Sequence, residues 1–130
     1  MIFNLSKYVS DGTGIVPWTN GIDPTLDNQG LQLIQTGGQD KSRGLKVDRT
    51  VQFISAEVSR VKAYQTITTV YEFLKNRFIV ALPEVTVDSI VYPAVRVAQF
   101  IPIQEPGYIG TDENGLHQWS VNIQVTTGGN

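Results

Sequence analysis

The chain has 130 residues, 41% of them apolar and 17% charged, with a formal charge of −2 and no cysteine. That length matches one domain with a modest core. The missing cysteines exclude a disulfide framework, thiol catalysis and thiolate metal sites, and the acidic balance argues against a general nucleic-acid binder, which presents a large basic face.

The opening segment MIFNLSKYVS is too short and too polar for a signal peptide, and no run approaches the ~18 apolar residues of a membrane-spanning helix. The chain therefore reads as soluble, made in a cytoplasm, with no membrane partner. Ile2, Phe3, Leu5, Tyr8 and Val9 form the apolar face of a short N-terminal helix that Asp11-Gly12 ends. Residues 11–30 are rich in glycine and proline and read as a connector, with one short strand around Ile15–Trp18. Leu31–Gln35 is a strand. Gly37–Gly44 reads as a loop, long for a hairpin connection, and residues 37–46 as a whole are expected to project.

Residues 47–57 alternate, with Val47, Arg49, Val51, Phe53 and Ser55 on one face of a half-buried strand. The clearest helix follows. Ser59 can cap it, and Val61, Tyr64, Ile67, Val70, Leu74 and Phe78 recur at helical spacing. Residues 85–91 read as a short strand, continuing from Phe78–Ala81 after a break at Pro83. Val95–Ile101 is a firmer strand. Asn114-Gly115 favours a tight turn before the last strand, His117–Thr126, whose buried row is Trp119, Val121, Ile123 and Val125. Residues 127–130 read as a loose tail.

The predicted fold is α+β. A mostly antiparallel sheet of about four to five strands carries one long helix packed on one face, with a short N-terminal helix, in a single domain over residues 1–130. The sheet's other face must be solvated or covered by a partner.

Searches for catalytic equipment come back empty. His117 is the one histidine, and Asp112 and Glu113 near it fit an ordinary turn better than a carboxylate–histidine site. Asp112-Glu113-Asn114-Gly115 lacks the rest of a calcium loop. Gly12-Thr13-Gly14 and Gly37-Gly38 stand outside any phosphate-binding frame. Glu57, Glu72, Glu84 and Asp88 have no spacing that marks an acid–base pair, although convergence in space stays open. No catalytic, metal-binding or cofactor-binding residue is assigned and no cofactor is expected, so the chain reads as a non-enzyme.

One cluster stands out. Lys41, Arg43, Lys46 and Arg49 gather four of the ten basic residues within nine positions, beside Asp40 and Asp48. Such a run is either a solvated loop or an arm that pairs with an acidic neighbour.

Three segments carry a family resemblance. VDRTVQFISAEVSRVKAYQTITTVYEFL joins a strand almost directly to an amphipathic helix. AVRVAQFIPIQEPGYIGTDENGLHQWSVNIQV runs from a strand through a Pro-Gly loop and a Gly110-x-Asp112-x-x-Gly115 turn to an aromatic-rich final strand. MIFNLSKYV is the short first helix. With this order of elements, over about residues 31–126, the chain resembles the tail terminator or minor capsid (tail completion) proteins of long-tailed bacteriophages.

The resemblance implies a small α+β subunit that forms a ring, usually of six copies, on the head-proximal end of the tail tube. The implied partners are further copies of the chain, the major tail tube protein and the head connector or stopper protein, with DNA only in passage through the lumen. The implied location is the virion tail, after synthesis in the bacterial host cytoplasm. Segment 37–46 matches where such proteins extend a hairpin, which places assembly contacts at Lys41, Arg43, Lys46 and Arg49. The acidic balance suits a lumen to which DNA must not stick. Two alternatives stay open: a head-completion or other small virion protein, and, from a different class, a monomeric binding domain or small enzyme.

Overall fold

The structure is a computed structural model and describes residues 1–19, 29–41 and 46–128. Helix α1 (Ile2–Thr13) buries Ile2, Asn4, Leu5 and Val9. It does not stop at Asp11-Gly12. It runs to Thr13, and Gly14 closes it in the left-handed conformation with φ 78°, donating its N–H to the Ser10 carbonyl. Gly12 is helical for a packing reason: a Cβ there would collide with the ring of Phe73.

Strand β1 (Trp18–Thr19) pairs parallel with β2 (Gly30–Lys41). Strands β2 and β3 (Lys46–Glu57) form a long antiparallel ladder, from Gly30 opposite Ala56 to Lys41 opposite Lys46. The loop expected over 37–46 is thus strand at 37–41 and at 46. The glycine pair marks a β-bulge, with the register shifting between Gln35 and Gly37. Gly37 at φ 143° absorbs that irregularity, which is what glycine inside a strand often signals. Arg43 lies outside the described residues.

Helix α2 (Arg60–Leu74) starts at Ser59, whose hydroxyl accepts the Lys62 N–H at 3.2 Å. Ala63, Ile67, Val70 and Leu74 are buried. Two members of the expected apolar row, Val61 and Tyr64, are instead 63% and 46% exposed. Phe78 is not helical either. Lys75 is extended and Asn76 takes a left-handed φ of 68°, so the helix ends and a strand begins; asparagine tolerates that conformation better than most residues.

The segment expected as one broken strand is three. Strand β4 (Phe78–Leu82) joins the sheet, whereas β5 (Val85–Val87) and β6 (Ile90–Tyr92) pair only with each other. Asp88 and Ser89, both at positive φ, make the two-residue turn between them, the conformation that matches the twist of hairpin strands. Strands β7 (Val95–Pro102), β8 (Gly107–Thr111) and β9 (His117–Gly128) complete the structure.

Among the described residues, seven strands form one sheet in the order β1-β2-β3-β9-β7-β4, with β8 also on β9. The fold is α+β with a mostly antiparallel sheet, as the sequence implies, but larger than four to five strands. Strand β9 is its spine. It pairs along its whole length with β3 and shares its other edge between β8 and β7. Of the tail expected over 127–130, residues 127 and 128 belong to this strand, with Thr127 buried opposite Val47 and Gly128 opposite Lys46, while 129–130 lie outside the described residues.

Both helices pack on one face, over a core that includes Leu5, Leu33, Phe53, Ile67, Leu82 and Ile123. Val121, Ile123 and Val125 form the buried row of β9. Asn4 ties α1 to a distant stretch of the chain. Its side-chain amide donates to the carbonyls of Pro83, Tyr92 and Pro93, the points where the β5–β6 hairpin leaves and rejoins the sheet.

Candidate assembly surfaces

The face opposite the helices follows from the register. Gln32 lies opposite Ile54, Ile34 opposite Gln52, Gln52 opposite Asn122, and Ile101 opposite Gln124. Strand side chains alternate, so these residues share the helix-free face, and its middle carries amides, hydroxyls and isoleucines but no charge. A solvated sheet face ordinarily mixes in charged residues. Asp48 stands at its end and accepts a hydrogen bond from Thr126 Oγ1 at 2.7 Å.

The four basic residues singled out from the sequence separate in the fold. Lys41 and Lys46 are paired backbone positions at the far end of the β2–β3 ladder. Arg49 is half-buried on the helix-bearing face, where its Nη1 donates to Thr127 Oγ1 at 3.0 Å. It also lies near the Met1 amino group, whose pKa is lowered by burial first and by the Arg49 charge second.

The candidate acid–base carboxylates do not meet. Glu57 is buried at the end of β3 with Lys62 Nζ 3.9 Å away. Glu72 pairs with Lys75 at 2.9 Å, and it lies about 15 Å along α2 from Lys62 at the helical rise of ~1.5 Å per residue. Glu84 and Asp88 belong to the β5–β6 hairpin. Asp112 is spent on its own turn, where Oδ1 accepts the Asn114 and Leu116 N–H groups at 2.8 and 2.9 Å. Gly115, at φ 77°, closes that turn. His117 faces Tyr108, with Nδ1 2.9 Å from the hydroxyl. Among the described residues no three His, Asp or Glu side chains gather as a metal ligand set.

One surface was not visible in the sequence. Around the start of α2, Tyr64 meets Trp119 edge-on at 4.8 Å, Trp119 meets Tyr108 at 5.4 Å, and the Arg60 guanidinium lies 4.5 Å over the Tyr108 ring. Val61, three residues before Tyr64 on α2 and so its neighbour on the helix surface, is exposed, as is Val58. The Trp119 indole N–H is buried without a hydrogen-bond partner. The patch draws on α2, β8 and β9, which only the β8–β9 register brings together.

A separate depression of ≈ 540 Å³ is lined by Ile15, Val16, Trp18, Leu31, Glu57 and Lys62 among others. No helix of the described residues is long and apolar enough to cross a membrane. A scan against protein-family models finds no match, and a search of curated proteins likewise finds none.

Proposed function

We propose that this chain is a non-catalytic structural subunit that assembles with copies of itself, and that the assembly is the ring that caps a bacteriophage tail tube and joins it to the head connector. The observation that carries the self-assembly reading is the uncharged middle of the helix-free sheet face, flanked by exposed Ile101 and Ile103. Hiding such a face from water costs little desolvation of charge, and obligate interfaces are depleted in charge at their centres. The specific reading as a tail terminator rests on the resemblance. Its strand-to-helix segment corresponds to β3 and α2, and its Gly110-x-Asp112-x-x-Gly115 turn to the hydrogen-bonded turn before β9.

The experiment is to mix the purified chain with polymerising major tail tube protein and image the products. The expected result is a ring at one end of each tube and an arrest of growth at that end. Tubes that grow unchanged and carry no ring would overturn the tail-terminator reading.

A further inference from the structure

We propose that the aromatic patch around Trp119 receives the β5–β6 hairpin of a second copy of this chain. The inference rests on the reading of the chain as a self-assembling subunit and names the surfaces through which copies touch. Two features, which share no residue, complement each other in side-chain chemistry and charge.

The patch has the make-up of a binding hot spot. Tyr, Trp and Arg are the side chains most enriched among residues that dominate binding energy, and Tyr64, Tyr108, Trp119 and Arg60 lie in mutual contact. It carries a cation: Arg60, over the Tyr108 ring, has no carboxylate in ion-pair range among the described residues.

The hairpin is the converse. It stands outside the main sheet, so both of its strand edges are free of that sheet. Ile90 and Val91 near its tip are each 56% exposed. Its charges are acidic: Glu84 and Asp88 have no cation in ion-pair range among the described residues. The hairpin rests on α1, where Tyr92 meets Phe3 at 5.0 Å, and exposed aliphatics beside a free strand edge are ready-made for a partner. Aliphatics beside free carboxylates match aromatics beside a free guanidinium. A contact between two different surfaces is heterologous, and repeated around an axis it generates a ring.

The absence of cysteine makes a clean test. Val61→Cys places a thiol in the patch and Ser89→Cys one at the hairpin tip. A short bis-maleimide added to a mixture of the two variants should give a covalent dimer containing one of each. The double variant V61C/S89C should give a ladder that ends at the ring size. In parallel, Arg60→Glu and Asp88→Arg should each raise the concentration for half-assembly about tenfold, and the pair together should restore it to within about threefold. Circular dichroism checks the fold, and Arg60→Glu is tolerable there because an acid suits a helix N-terminus. Normal assembly with no mixed dimer and no effect of either reversal would overturn this contact while leaving self-assembly standing. A chain that stays monomeric in solution and on tubes would overturn both.

Discussion

The side-chain nitrogen of Asn4 lies 2.9 Å from the carbonyl oxygen of Pro83, 79 positions along the chain. Asn4 is buried, and the same nitrogen also serves Tyr92 and Pro93. Asn4→Ala leaves three carbonyls without their donor and should cost about 1–3 kcal/mol. Asn4→Asp should cost more, because it aims carboxylate oxygens at carbonyl oxygens. Urea unfolding of the three proteins measures the order.

Gly12→Ala should destabilise the protein, against the usual sign. Alanine in a helix interior is ordinarily favoured over glycine by about 1 kcal/mol. Here the added Cβ meets Phe73, whose ring lies between Tyr8 and Arg77, and overpacking of this kind costs about 1–3 kcal/mol. In a Phe73→Ala background the same substitution should become stabilising. Thermal melts of the double-mutant cycle decide it.

Asp112 separates turn from chemistry. Asp112→Asn keeps an oxygen for the Asn114 and Leu116 N–H groups and should leave stability nearly unchanged. Asp112→Ala should lose about 1–2 kcal/mol with those hydrogen bonds. A chain that needs the charge, for calcium or for acid–base work, would fail with asparagine as well. Unfolding curves with and without added calcium distinguish the outcomes.

If the chain caps tail tubes as proposed, replacing Lys41, Arg43 and Lys46 with serine should weaken that capping several-fold while circular dichroism stays unchanged. Arg49→Ser should behave differently. Its guanidinium holds Thr127 across the sheet, so its loss should lower stability by about 1 kcal/mol. Sedimentation with tubes reads the first effect and chemical denaturation the second.

The regular elements are legible where periodicity is strong. The alternation of Val51, Phe53 and Ser55 and of Val121, Ile123 and Val125 identifies the buried rows of β3 and β9. The Ser59 cap likewise announces α2. Legibility fails where tertiary pairing overrides local pattern. Gly37-Gly38 has the look of a loop, but the β3 partners opposite it carry the ladder through a bulge. Strand β8 is five residues bounded by glycine and threonine, and it exists because the edge of β9 beyond β7 is free to pair. Val61 and Tyr64 follow helical spacing yet face outward, because α2 turns Ala63 toward the core, where the Ser55 hydroxyl donates to its carbonyl at 2.7 Å.

The candidate surfaces divide in the same way. A run of basic residues is visible in any sequence, and Lys41, Arg43, Lys46 and Arg49 stand out for that reason. The Tyr64–Trp119–Tyr108 chain is not visible, because its members come from three elements and meet through cross-strand register. Trp119 in particular looks like one more member of a buried row, and only its half-buried position beside Tyr108 shows a second role.

The central place of β9 has a consequence for how the chain comes together during synthesis. Strand β3 has its second neighbour only after residues 117–128 have emerged, since Phe53 waits for Val121 and Val51 for Ile123. Until then β2, β3 and α2 form a local unit with one raw strand edge and an incompletely covered apolar row. Pairings this distant in sequence are slow to form, and an open edge in a partly made chain is a template for the wrong neighbour. In a crowded cell, nascent copies of this chain should therefore be most prone to mispair with one another along β3 in the interval before β9 arrives.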